Sequence, residues 1–171
     1  GIALCGSGVP ADELSKEYSV KLAFLYKFAN YVENSRGGSP EHVTIGVYGR
    51  DPFGTTLDAV AASRKARGKT LRVVRFEDLG RYQACDILFV SGSIAAEDLR
   101  RLLELTREDG ALIVGEQPQF MSHGGIMNFH IDSSGRTAIQ LNVDAAQERE
   151  LRIDARLMRV CDIVGGRSVS P

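Results

Sequence analysis

Apolar residues recur along this chain in two ways, as short unbroken runs and as helix-spaced stripes. The clearest run is Ile87-Leu88-Phe89-Val90, set between Asp86 and the turn residues Ser91-Gly92-Ser93. A run of that length closed by turn residues predicts a strand buried on both faces. A helical pattern follows from Ile94 to Asp109. Leu99, Leu102, Leu103 and Leu105 form its apolar side, and Glu97, Asp98, Arg100, Arg101 and Glu104 its wet side. A second buried strand comes at Ala111–Val114. Strand, helix, strand is the unit that forces parallel pairing. Upstream, His42–Tyr48 predicts the first strand and Thr70–Phe76 the second, with a helix from Leu57 to about Ala66 between them. Asp51 or Thr55 would cap that helix and Gly68 stop it. Arg72 and Arg75 suit an edge for the second strand. Downstream the period changes to two. Ile126–Ile131 and Thr137–Val143 alternate on either side of Asp132-Ser133-Ser134-Gly135, which predicts a β-hairpin. The expected fold is α/β: a single three-layer domain, its mostly parallel sheet in the order 2-1-3-4, helices on both faces, and a C-terminal β-hairpin.

Helical patterns also open and close the chain. The first runs from about Asp12, its cap, to Glu33. Its apolar face (Leu14, Tyr18, Leu22, Leu25, Phe28, Ala29, Val32) is widened by Val20, Phe24 and Tyr31, leaving Lys16, Lys21, Lys27 and Asn30 for the polar remainder. A stripe that broad is either sunk in the fold or covered by a partner. The last pattern is capped by Asp144. Ile153, Leu157, Val160, Cys161 and Val164 make a core face, while Arg149, Arg152, Arg156 and Arg159 fall on one stripe. Residues 1–10 read as disordered, or as the remnant of a secretory signal or of cloning. Residues 11–164 form the domain and 165–171 a flexible tail.

The 171 residues suffice for a core without metal or disulfide, and a net charge of −1 argues against nucleic-acid binding. No apolar run reaches the roughly 18 residues of a membrane span. The three cysteines, Cys5, Cys85 and Cys161, read as small apolar residues, or as one disulfide plus a free thiol in an oxidising compartment. In a wound sheet, ligands bind where strand order reverses. Here that crevice would be lined by Gly49 and Arg50 after the first strand and by Ser91, Gly92 and Ser93 after the third. The loops lead into helix N-termini and could hold a small anion; they also serve simply as turns and caps. No catalytic set emerges. There is no Gly-x-Ser-x-Gly elbow, P-loop or Gly-x-Gly-x-x-Gly. His42, His123 and His130 are scattered, and no cysteine pair has metal spacing, so neither metal nor cofactor is expected.

The stretch Glu17–Glu33, with its Lys21, apolar run, Phe28-Ala29 and Tyr31-Val32-Glu33, resembles the first helix of YfiR-like proteins. Further matches follow in order: Val47-x-Gly49-x-Asp51-Pro52-Phe53-Gly54, Cys85–Ser93, Gly124–Phe129, Asn142–Ala146 and Leu151–Leu157. The resemblance covers about Glu17 to Val164. It implies a non-enzymatic, periplasmic, dimerising repressor. Such a protein binds the periplasmic domain of a membrane diguanylate cyclase of the YfiN type. An outer-membrane lipoprotein of the YfiB type relieves the repression, raising cyclic di-GMP and biofilm formation. Two departures stand out. Asn34-Ser35 replaces the Trp-Pro common after the first helix, and disulfide-bearing members carry more cysteines than Cys85 and Cys161. For a protein that works by contact, the aromatic and arginine anchors to test are Phe24, Tyr31, Arg152, Arg156 and Arg159. The alternative is a small-anion or small-molecule binding protein using the Gly49, Arg50 and Ser91–Ser93 crevice.

Overall fold

The computed structural model describes residues 14–34 and 38–166. Helix α1 (Lys16–Tyr31) is capped by the Ser15 hydroxyl, which accepts the Tyr18 N–H; the expected cap Asp12 lies outside the described residues. The chain then extends into β1 (Val32–Asn34) and enters the sheet at β2 (His42–Tyr48). Next come α2 (Thr55–Ser63), β3 (Lys65–Ala66) and β4 (Lys69–Phe76). The central β5 (Ile87–Val90), α3 (Ala96–Leu105) and β6 (Leu112–Gly115) follow. Strands β7 (Met127–Ile131) and β8 (Thr137–Asn142) form the hairpin. The chain closes with α4 (Val143–Glu148), β9 (Leu151–Ile153), α5 (Ala155–Met158) and β10 (Asp162–Val164).

Eight strands form the main sheet in the order β10-β8-β7-β6-β5-β2-β4-β3. Its middle is the expected 2-1-3-4 arrangement, with β4, β2, β5, β6 and β7 mutually parallel. Strand β8 runs antiparallel to β7, and β10 extends the edge parallel to β8. Right-handed crossovers to either side of the β2–β5 pair put α2 and α3 on opposite faces. Helix α1 packs beside α2, where the Tyr18 and Phe53 rings meet edge-on at 5.9 Å. An aromatic chain runs beneath it from Phe53 to Phe89 (4.9 Å), Phe129 (6.4 Å) and Phe28 (6.1 Å). All four rings are fully buried, so this seam fixes the helix layer on the sheet.

Several helical expectations are corrected. The first helix stops at Tyr31 because Val32–Asn34 pairs antiparallel with β9 instead of completing another turn. The helix after β2 stops at Ser63. Its N-cap is Gly54, while Asp51 accepts the Phe53 and Gly54 N–H groups one turn earlier. Beyond it, β3 turns into β4 through Arg67 and Gly68, both at positive φ (52° and 77°), the conformation a two-residue hairpin turn requires. Arg67 tolerates this because α1 holds it: its N–H reaches Asn30 Oδ1 at 3.3 Å and its Nε reaches the Ala29 carbonyl at 3.1 Å. The helix expected over Ile94–Asp109 is shorter, Ala96–Leu105.

The largest correction concerns the tail, which is not one helix. The cap is Asn142, not Asp144, and α4 ends when Glu150 turns to φ 58°. Strand β9 then pairs with β1, and Asp154 caps the single turn of α5. The expected core face is therefore divided. Leu157 is buried, but Val160 and Val164 are exposed at 58% and 37%. The arginine stripe dissolves with the helix that would have aligned it.

Candidate functional site

The crevice at the carboxyl ends of β2 and β5 exists, with a volume of about 430 Å³, and brings together Gly49, Arg50 and Ser93. Gly49 sits at φ 94°, and the Arg50 N–H donates to Ser93 Oγ at 3.2 Å. Ser91 is buried and turned inward, where its Oγ accepts the Ser93 N–H and hydroxyl at 3.3 and 3.2 Å. The charges do not favour an anion. Arg50 shares the crevice with the carboxylates Glu77 and Asp98. The Gly92 N–H, which an anion would need, already donates to Glu116 Oε2 at 2.8 Å. Asp86, at the other end of β5, accepts the Thr44 N–H at 2.8 Å and so ties two strands together.

Glu116 is the centre of a polar knot that sequence reasoning missed. It follows β6 and accepts from Lys21 Nζ at 2.8 Å, from the Tyr18 hydroxyl at 3.1 Å and from Gly92. The Lys21 and Glu116 side chains are only 5% and 9% exposed. Lys21 also pairs with Glu17 at 2.7 Å and lies over the Tyr18 and Phe129 rings at 4.6 and 5.7 Å from their centroids. Lys21 is thus not on the solvated remainder of α1. The broad apolar face leaves little solvated surface, and a lysine within it is buried with its partner. The one signal available was a carboxylate at the end of an all-apolar strand.

This knot has a pH consequence. The Tyr18 phenol is pushed up to about 12, first by burial and then by the charge of Glu116. A folded-state value above the ordinary 10.0 means that folding favours the protonated phenol. Its stabilisation is therefore complete below about pH 10 and is lost as pH climbs toward about 12. Tyr18→Phe is expected to flatten the alkaline arm of a stability–pH curve measured by urea unfolding. Tyr48, Tyr82, Cys85 and Cys161, all raised chiefly by burial, contribute to the part that remains. An unchanged alkaline arm would refute this. Cys85 and Cys161 are both free thiols, with pKa values pushed up to about 12 and about 11 by burial, so both remain protonated at neutral pH.

The five anchor residues are distributed as follows. Phe24 is half-buried, packed on Phe28 at 6.2 Å and Phe129 at 6.3 Å, with Lys27 Nζ 5.2 Å above its ring. Tyr31, two turns on, lies under the Arg156 guanidinium at 4.8 Å. Arg156 in turn grips Asp154, Nη2 to Oδ2 at 2.8 Å and Nε to Oδ1 at 3.0 Å. Arg152 is exposed on β9 opposite Glu33, and Arg159 is exposed just after α5. The pairing of β1 with β9 therefore gathers Tyr31, Arg152 and Arg156 on one surface at the end of α1. Arg149 points the other way and is buried against α3.

Beside that surface runs a groove of about 690 Å³ between α1 and α2. Leu22, Ala23 and Tyr26 of α1 face Val60 of α2 across it, with Lys27 and Arg64 at its rim. Elsewhere His42 contacts Ser39 and His130 contacts Asp162. Among the described residues no group of three or more His, Cys, Asp or Glu side chains could hold a metal ion. Nor is any described helix long and apolar enough to cross a membrane.

A family model described as YfiR/HmsC-like matches residues 18–162, from α1 to the first residue of β10. A solved structure of similar fold is a conserved domain protein from Vibrio cholerae O1 biovar El Tor, with a TM-score of 0.50 and 13% identity. The match covers 70% of this chain and 54% of that one, so this chain spans about half the length of that neighbour. At such identity the likeness concerns the fold alone. No curated protein matches the chain.

Proposed function

This chain belongs to the YfiR/HmsC-like family, and on that premise we propose that it is a periplasmic, non-enzymatic negative regulator of a membrane diguanylate cyclase. It binds the cyclase's periplasmic domain, of the YfiN type, and lowers cyclic di-GMP production. An outer-membrane lipoprotein of the YfiB type competes for it and releases the cyclase. It acts as a homodimer, as family members do. The observation that carries this reading is the family match across nearly all of the described fold. The surface at the end of α1 supports it, because Tyr31, Arg152 and Arg156 are the residue types that anchor interfaces.

Repression by binding requires the regulator to hold the cyclase's inactive form more tightly than its active form. Moving that equilibrium from 1:99 to 99:1 takes about a 10⁴-fold difference in affinity between the two forms. The test is a calorimetric titration of this chain with the cyclase's periplasmic domain. Micromolar or tighter binding is expected, with Tyr31→Ala and Arg156→Ala each weakening it by about tenfold or more. Absence of binding at micromolar concentrations would reject the proposal.

A further inference from the structure

The groove between α1 and α2 belongs to neither the aromatic seam nor the Glu116 knot. On α1 it is lined by Leu22, Ala23, Tyr26 and Lys27, whose spacings of three and four place them along one side of the helix. Its other wall is Thr56 and Val60, with Arg64 beyond the last turn of α2. Ala23 is exposed and contributes no more than a methyl group to the lining. The charge is one-sided. Among the described residues, Lys27 and Arg64 are the only charged ones lining it, and no carboxylate does. The Arg64 guanidinium stacks 5.4 Å above the Tyr26 ring, and the Tyr26 hydroxyl is fixed by donating to the Lys65 carbonyl at 2.8 Å. The groove extends along α1 from Ser19 to Tyr31, about 18 Å at helical rise, or a little over three turns.

An apolar trough walled by two helices suits a third helix laid by its apolar face, read as residues at i, i+3, i+4 and i+7. Cations at the rim, with no anion among the described lining residues opposing them, select a helix whose flanks are acidic. We propose that this groove receives an amphipathic, acidic-flanked helix of the partner cyclase's periplasmic domain, and that Lys27 and Arg64 set its register. The inference rests on the cyclase reading above and names the surface that reading leaves open. The groove ends at Tyr31, so it is continuous with the Tyr31–Arg156 surface.

The experiment titrates the full chain with the cyclase's periplasmic domain at low and high ionic strength. Two variants carry it, Lys27→Glu/Arg64→Glu and Ala23→Trp, all at exposed positions whose replacement leaves the core intact. Arg100→Glu/Arg101→Glu on α3 makes the same charge change at a distance. Both groove variants are expected to weaken binding by about tenfold or more, with the charge reversal also flattening the salt dependence. The α3 control stays within about twofold of wild type, as a mutated charge outside an interface does. If wild type binds and both groove variants bind equally well, the groove proposal falls and the regulatory reading stands. If wild type does not bind at all, the regulatory reading falls and takes the groove's assignment with it. Two further results would also overturn it. In one, cyclase affinity is unchanged but dodecanoate binding is lost in the variants, so the occupant is an anionic amphiphile. In the other, Ala23→Trp converts a sedimenting dimer to monomer without touching cyclase affinity, so the occupant is a second copy.

Discussion

Replacing Lys21 by methionine is expected to destabilise the fold by about 3–5 kcal/mol, because it strands a buried carboxylate. With the ammonium gone, Glu116 keeps only the Gly92 N–H and the Tyr18 hydroxyl, both neutral donors, at a site where its side chain is 9% exposed. The converse change, Glu116→Gln, is milder. Lys21 retains its 2.7 Å pair with Glu17, which is half in solvent and reaches inward along α1. The double variant Lys21→Met/Glu116→Leu removes both charges and is expected to recover much of the loss, since a buried ion pair is often no better than well-packed apolar residues. Urea unfolding of the four proteins gives the ordering directly. A Lys21→Met variant within about 1 kcal/mol of wild type would mean that the pair is solvated and that the knot does not hold α1. The knot matters for function because it joins the first turns of α1 to the carboxyl ends of β5 and β6. It also puts a carboxylate where a wound sheet usually takes its ligand. The same contact that sets the groove-bearing helix disfavours the small-anion reading of the crevice.

How much of this was readable in the chain depends on which interactions are local. The central sheet was legible because Ile87–Val90 and Ala111–Val114 are unbroken apolar runs, and a helix of known length between them allows one pairing and one hand. The hairpin was legible from alternation and a Gly-containing turn. The tail was not. Residues spaced three and four apart between Arg149 and Val164 satisfy a helical template equally well whether or not the chain turns at Glu150. What decides against the helix is a non-local pairing, β1 with β9, that no periodicity encodes. The arginine stripe failed for the same reason. Three of its members, Arg152, Arg156 and Arg159, remain on the surface, but Arg149 is drawn inside by carbonyls more than forty positions away in sequence. Lys21 was misplaced for a different reason. A helix wide in apolar residues has no solvated face for every lysine it carries, and the partner that makes burial tolerable sits 95 positions away.

Arg149 carries the second large prediction. Its Nη1 donates to the Thr106 carbonyl at 2.8 Å and to Thr106 Oγ1 at 3.1 Å, while Nη2 donates to the Leu103 carbonyl at 2.8 Å. These are acceptors at the C-terminal end of α3, where carbonyls lack intrahelical donors and the helix dipole favours a cation. The residue is 8% exposed, so no water can replace it cheaply. Arg149→Met preserves the apolar stem but removes the charge-assisted donors. Among the described residues, that leaves the Thr106 carbonyl with the Asp109 N–H at 3.1 Å and the Leu103 carbonyl with only a long 3.5 Å approach of the Thr106 hydroxyl, at a total cost of about 2–4 kcal/mol. Arg149→Lys restores the charge but not the fork. A single ammonium cannot span two carbonyls and a hydroxyl as a planar guanidinium does, so at most about half of the loss should return. The contact also ties α4, and with it the start of β9, to α3. Hydrogen exchange should therefore accelerate at β9 and at its partner β1 before it does at β5 in the centre of the sheet. Binding to the cyclase domain should weaken in step, because the Tyr31, Arg152 and Arg156 surface is assembled by that pairing. A methionine variant as stable as wild type, or a lysine variant indistinguishable from arginine, would show that the guanidinium fork is not what fastens the two halves of this surface.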